Sequence, residues 1–406
     1  MRKLLCSLFV TFWTVCGYAQ PRSYLFVWAG DDAKQGSDFL AVLDADPQSL
    51  HYGQPVASVA VPGPSGTPHH TELEMPQDGF LLANAFESGQ THVFDLRDPL
   101  HPALVTSFGD LAEYMHPHTY MRLANNDVLA TFQYQHSNAD PLGGGLVEFD
   151  EHGKIVRAVS AIDFNARFEL IRPYSLVVVP GLDRIVSTNT AMHSKDGDAR
   201  TVQVWRLSDL MLRKTVILPK GPHGSEKDPG EPRLLADGKT VLVHTFSCGL
   251  YQMMNLEGPQ PSAKSLMKFD GDICAVPLRL GHYWVQTLFS NHALASYDIS
   301  DLNHIREVSR IKFNEKQKPH WIAADETGRR IIMNSGEYGE HRLYMIDFNP
   351  ETGVLSLDKN FRDPGSKEPG VSMDGKSWPH GFKGNAYPHG TVFSLSSTAQ
   401  NVKAGN

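Results

Sequence analysis

Cysteine is scarce in this 406-residue chain: four occur, and two of them, Cys6 and Cys16, fall in the first apolar stretch. No Cys-x-x-Cys pair exists, which removes thioredoxin-like redox motifs and cysteine-rich zinc modules. Apolar runs are short beyond residue 19, so nothing there approaches the roughly 20 residues that a bilayer-spanning helix needs. Long basic runs are missing too, and 37 Lys and Arg against 45 Asp and Glu give a net charge of −8. Nucleic acid is therefore not an expected partner, because binding it depends on neutralising phosphates. No Gly-x-Ser-x-Gly elbow is read, which excludes a serine hydrolase of that kind, and no phosphate loop is expected either. The stretch HSKDGDA around Asp196 has calcium-like spacing but lacks the twelve-residue ligand pattern of a calcium loop.

Glycine and proline, by contrast, are plentiful, 34 and 26 residues, and spread along the whole chain. Many turns follow, and many turns favour an all-β fold. Residues 1–19, MRKLLCSLFVTFWTVCGYA, combine two basic residues, an apolar stretch from Leu4 to Val15, and small residues at Gly17 and Ala19. This is the pattern of a secretory signal peptide, cleaved after Ala19. A lipid anchor on Cys16 is disfavoured by the bulky Val15 before it. A periplasmic or secreted protein, residues 20–406, is expected. Loss of Arg2 and Lys3 would take the net charge from −8 to −10. Cys248 and Cys274 then remain, in neighbouring repeats; a disulfide and two buried thiols are both compatible with that spacing.

Short β-like runs recur along the chain: YLFVWAG, FLLANAF, DVLATFQ, RIVSTNT, TVLVHTF, YWVQTLF and RIIMNSG. Each carries a small or polar residue at or near its end. Each is followed by an alternating strand, such as THVFDLRDP or RLYMIDFNP, which closes on an acidic or turn residue. The period of about 45–55 residues is that of propeller blades. Six repeats open with a further strand: HHTELEM, HTYMRLA, YSLVVVP, PRLLA, AVPLRL and HWIAAD. The first repeat has none, and PHGTVFSLS from Pro388 supplies it from the other end of the chain. The sequence predicts a single seven-bladed β-propeller over 20–406, closed by this C-terminal strand in blade one. Closure removes free sheet edges. DLAEYM near Leu111 reads as a short helix-like connection, and 363–388 as a long loop before the closing strand.

In a propeller the opening strand of each blade lines the central channel. His69 and His70 open blade two, His118 blade three, His320 blade seven, and His389 the closing strand of blade one. Blades seven, one, two and three are consecutive, so these histidines are predicted to form an arc at one channel mouth. Clustered neutral imidazoles suit copper, zinc, iron or nickel. Adjacent histidines on a regular strand point to opposite faces. His69 and His70 can therefore share an ion only if the backbone bends, and Pro68 makes a turn plausible. His136, His193 and His292 follow second strands and are expected near the same mouth. His116 is expected to face away. His380, in WPHGF, competes with His389, which is preferred because an apolar strand follows it. Cys274 heads the opening strand of blade six, away from the arc. Glu72 or Glu74 could face the channel as an acid or base; a solvated channel wall is the simpler role.

In PHHTEL, PHTYMRL and PHGTVF the chain resembles the selenium-binding protein family, which includes bacterial methanethiol oxidases. The resemblance implies a seven-bladed propeller with a copper site at His69, His70, His118 and His389. His320 would be an additional or supporting ligand. Two features depart from the family pattern: TELEMPQDGF after the double histidine contains no cysteine, and Met121 stands where a further histidine is common. The resemblance thus implies metal binding rather than selenium binding through cysteine. The expected function is an exported copper-dependent oxidoreductase, zinc being the alternative metal, that oxidises a small thiol or other reduced substrate with O2. Two rivals have different chemistry: a lactonase-like hydrolase, which needs carboxylates converging at the mouth, and a propeller that only binds a ligand or protein partner.

Overall fold

The computed structural model describes residues 23–136, 143–150, 152–192 and 197–396. The proposed signal peptide, His193 and the start of the HSKDGDA stretch lie outside the described residues. Seven antiparallel sheets form the blades of a β-propeller. Blade one pairs Tyr24–Asp31, Phe39–Asp44 and Pro55–Ala60 with the C-terminal strand Ala386–Phe393, which takes the innermost place beside Tyr24–Asp31. The first strands of the other blades are Pro68–Thr71, Tyr114–Arg122, Pro173–Val179, Pro229–Leu234, Pro277–Leu280 and Trp321–Ala324. Among the described residues, helical structure is limited to single 3-10 turns.

The blades cohere because their inner three strands are apolar on both faces. Leu25, Val27, Phe39 and Leu43 of blade one pack with Ile332, Leu343 and Met345 of blade seven. Phe26, Trp28 and Leu40, on the opposite face of blade one, pack with Leu81, Ala83 and Phe94 of blade two. Each blade therefore buries two faces, whereas an outermost strand such as Ala103–Phe108 alternates between exposed and half-buried positions. Cys248 and Cys274 form a disulfide between blades five and six, with Cα atoms 5.0 Å apart.

Two local expectations change. DLAEYM contains no helix: Ala112 adopts a left-handed φ of 53°, Leu111 bridges Tyr114, and Tyr114 already begins the inner strand of blade three. Part of the 363–388 stretch is regular rather than loop. Val371–Ser372 pairs with Arg342–Phe348 of blade seven, and Lys376–Ser377 pairs with Lys383–Gly384. Trp378 and Phe382 pack on Phe39. Gly370–Ser377 has the spacing of a phosphate loop, which sequence reading overlooked. No helix follows it, and Lys376 is committed to Asp363 at 2.9 Å.

Candidate metal centre

The inner strands of blades one to five share one irregularity, and it builds most of the site. Register slips between Pro68 and Thr71, Pro117 and Tyr120, Pro173 and Leu176, Pro229 and Pro232, and where Pro388–Thr391 faces Val27–Ala29. Each is a bulge that starts at a proline, which has no N–H to give to a ladder. The residues inside these bulges include His69 and His70, His118, Tyr174, Glu231 and His389. The bulge resolves the problem of the adjacent histidines. His69 and His70 do not alternate; their rings stack, with centroids 4.3 Å apart and planes 16° apart.

Four of the five bulges are held by the preceding blade, and that of blade two by its own second strand. Asn84, at the end of the second strand of blade two, donates from Nδ2 to the carbonyls of Pro117 at 2.6 Å and His118 at 3.3 Å. Its Oδ1 accepts from the backbone N–H of His70 at 2.6 Å. Asn334 of blade seven donates to the carbonyl of His389 at 2.8 Å, Gln133 to that of Pro173 at 2.8 Å, and Thr190 to that of Pro229 at 2.6 Å. These are the polar residues that close the recurrent β-like runs. Their periodicity was visible in the sequence; their task is visible only here.

Five predicted histidines converge. His69 Nε2 lies 3.0 Å from His118 Nε2. One ring nitrogen from each of His69, His70 and His118 lies within 4.8 Å of the other two. The His389 ring is 4.3 Å from that of His69, and His320 is 4.9 Å from His389. All five are buried. His70 Nε2, His320 Nε2 and both ring nitrogens of His389 have no hydrogen-bond partner. Leaving a buried polar atom unmade costs about 1–3 kcal/mol. A metal ion would use these lone pairs, and nitrogens bound at about 2.0–2.1 Å to one ion lie within about 4 Å of each other. The donor set therefore fits a transition metal. Burial, reinforced by neighbouring imidazoles, holds His69 and His70 well below the ordinary histidine range. Burial likewise brings His118, His320 and His389 down to about 3. The rings are thus neutral at pH 7, as ligation requires.

Aromatic rings enclose the cluster. Trp321 packs on His70 at 4.8 Å, Tyr174 on His118 at 3.9 Å, and Phe86 on His69 at 5.6 Å. Gly336 lets the blade-seven turn close over the imidazoles: a Cβ there would meet His389 Cδ2 at 3.1 Å. The next residue, Glu337, places Oε2 3.6 Å from His389 Nε2.

Other candidates lie elsewhere. His116 faces Phe86, its Nδ1 2.7 Å from the carbonyl. His380 bonds Ser58 and packs on Phe39. His136 pairs with Asp110, and His292 faces the carbonyl of Gln317. Glu72 is no solvated channel wall: it is buried, pairs with Arg122 at 2.8 Å and accepts from the N–H of Leu82. Glu74 is exposed. A carboxylate that sequence reading missed does converge: Glu231 of blade five, with Oε1 3.9 Å from His70 Nδ1. The signal that could have found Glu231 and Tyr174 is their place just after Pro229 and Pro173, like the histidines after Pro68, Pro117, Pro319 and Pro388.

Fold and site together define a seven-bladed propeller with a buried histidine cluster fit for a metal in its central channel. No family model matches the sequence. A methanethiol oxidase from Hyphomicrobium sp. is 31% identical over 355 residues, covering 79% of this chain and 74% of that protein. A selenium-binding protein from Sulfolobus tokodaii superposes with a TM-score of 0.71 at 15% identity, over 93% of this chain and 95% of that one. A periplasmic gluconolactonase from Pseudomonas aeruginosa shares the fold, with a TM-score of 0.64 at 13% identity over 92% and 99% of the two chains. The chain belongs to the selenium-binding protein family, the family of the methanethiol oxidases.

Proposed function

We propose that this protein is a copper-dependent oxidoreductase that oxidises a small thiol, or another small reduced molecule, with O2 as electron acceptor. The observation that carries this reading is the set of buried, neutral imidazoles with unpartnered nitrogens, in a chain 31% identical to a methanethiol oxidase. His69, His70, His118 and His389 would hold the ion, with His320 beside them. Copper bound there supplies a soft, redox-active centre with affinity for sulfur, which zinc would not match in electron transfer. The chain's own residues prepare the site. Burial keeps the imidazoles deprotonated, the bulges aim them inward, and Trp321, Tyr174 and Phe86 exclude water. Export to an oxidising compartment agrees with the signal-like segment at residues 1–19 and with the Cys248–Cys274 disulfide.

The test is metal content by mass spectrometry of the protein exported to a periplasm, beside His69→Ala/His70→Ala. About one copper per chain, lost in the variant, together with O2 uptake on methanethiol, supports the reading. No stoichiometric metal after copper loading would overturn it and leave a propeller that only binds. Glu231 favours one second reading, a lactonase-like hydrolase, since it brings a carboxylate to the histidines. Acid release from lactones without O2 uptake on thiols would select it.

A further inference from the structure

Glu231 is unusually placed for a carboxylate. It is fully buried, inside the blade-five bulge, and its two oxygens are treated differently. Oε2 accepts from the Ser175 hydroxyl and from Arg233 Nη1 at 3.1 Å. Oε1 has no hydrogen-bond partner and faces His70 Nδ1 at 3.9 Å. The other nitrogen of that ring, Nε2, is also unpartnered. The bulge itself is anchored from behind. The backbone N–H of Glu231 donates to His244 Nε2 at 3.2 Å, and Gly230 leaves room for that ring, which a Cβ would meet at 2.3 Å. Ser175 and Arg233 therefore fix the carboxylate while leaving one oxygen for His70.

We propose that Glu231 is the positioning residue of the metal site. Its free oxygen stands 3.9 Å from Nδ1 of His70 as the acceptor for the Nδ1–H, which favours the tautomer whose Nε2 lone pair is offered to the ion, and the carboxylate keeps its negative charge beside the cation. This rests on the metal site proposed above. His118 has a weaker form of the same arrangement: its Nδ1 lies 3.2 Å from the Thr119 hydroxyl, and its Nε2 faces His69. His69 brings its own Nε2 to the same point, 3.0 Å from that of His118. Partners behind metal-bound histidines orient the ring and raise its basicity, and their loss weakens metal binding about 10–100-fold.

Glu231→Gln is the informative change because the amide has only one allowed orientation. Arg233 has no acceptor, so the amide oxygen must face it and the NH2 must face His70. The imidazole is then driven to the other tautomer, with a proton on Nε2. Copper affinity is to be measured by competition with a chromophoric chelator on wild type, Glu231→Gln and Glu231→Asp, with the melting temperature of each metal-free protein as the fold control. A Gln variant about 10–100-fold weaker in copper affinity, with metal-free melting near wild type and the Asp variant also weakened, is the expected result. Copper affinity within twofold of wild type in a folded Gln variant overturns the proposal. If the Gln variant does not fold, wild-type affinity in Glu231→Asp overturns it, because the shorter side chain keeps the charge but draws back from His70. Failure of the wild type itself to bind copper would instead overturn the function proposed above, and this role with it.

Discussion

Acid should strip stability from the metal-free protein, and the structure gives the size. Burial lowers His118, His244, His320 and His389 to about 3 and His92 to about 4, against 6.5 for a free histidine. These groups are neutral when folded and protonated when unfolded below pH 6.5. The stability tied to them is complete above pH 6.5 and drains as pH falls from there towards 3. Each group costs about 1.4 kcal/mol per pH unit over that window, so about 2 kcal/mol between pH 7 and 5, and the five together about 9 kcal/mol. Asp38 and Asp228 oppose this, because burial raises them from 3.8 to about 6, and protonation in acid relieves the folded state. Together they return about 3 kcal/mol by pH 5. The imidazoles win, with a net loss of about 6 kcal/mol, comparable to the whole stability of many domains. Denaturant unfolding of metal-free protein at pH 7.5, 6 and 5, followed by the fluorescence of buried Trp28, Trp205, Trp284 and Trp321, measures it. An unfolding free energy at pH 5 within about 1 kcal/mol of that at pH 7.5 would refute the reasoning.

Three further outcomes are expected. Asn84→Ala removes the pin shared by blades two and three and should cost about 2–3 kcal/mol while lowering the copper content of purified protein, read by denaturant unfolding and mass spectrometry. Cys248→Ser opens a loop of sequence separation 26 and should cost about 3.5 kcal/mol by the chain-entropy relation, with copper content unchanged. Gly336→Ala must hold φ near 59° and press a methyl on His389; it should cost about 1–2 kcal/mol and loosen copper, whereas an unchanged melting temperature and metal content would show that the turn does not touch the site.

Much of the site was legible before the fold was known, and the reason is local. Strand alternation and turn residues are properties of a few neighbouring side chains, so seven blades and the closing strand at Pro388 could be counted directly. The opening position of a strand fixes which end of the channel it occupies, so His69, His70, His118, His320 and His389 could be gathered in advance. Other assignments failed for equally physical reasons. Glu72 sits near the histidines in sequence, but Arg122 of the next blade takes its carboxylate. Glu231 is far away in sequence and follows a glycine instead of a histidine, so only ring closure brings it to His70. DLAEYM has helix-forming composition, yet pairing with the second strand of blade three claims Tyr114.

The sequence by itself determined the architecture: alternating apolar runs, punctuated by turns and repeated seven times, can bury their faces only against one another, and the ring is the closed solution. It also determined which histidines share a mouth, because blade order follows chain order. The tertiary structure alone decided where those side chains point, since a bulge depends on register with a partner strand. It alone decided that the imidazoles are neutral, since desolvation comes from what other blades pack around them. And it alone decided that blade five stations a carboxylate behind His70, since that contact exists only once the ring has closed.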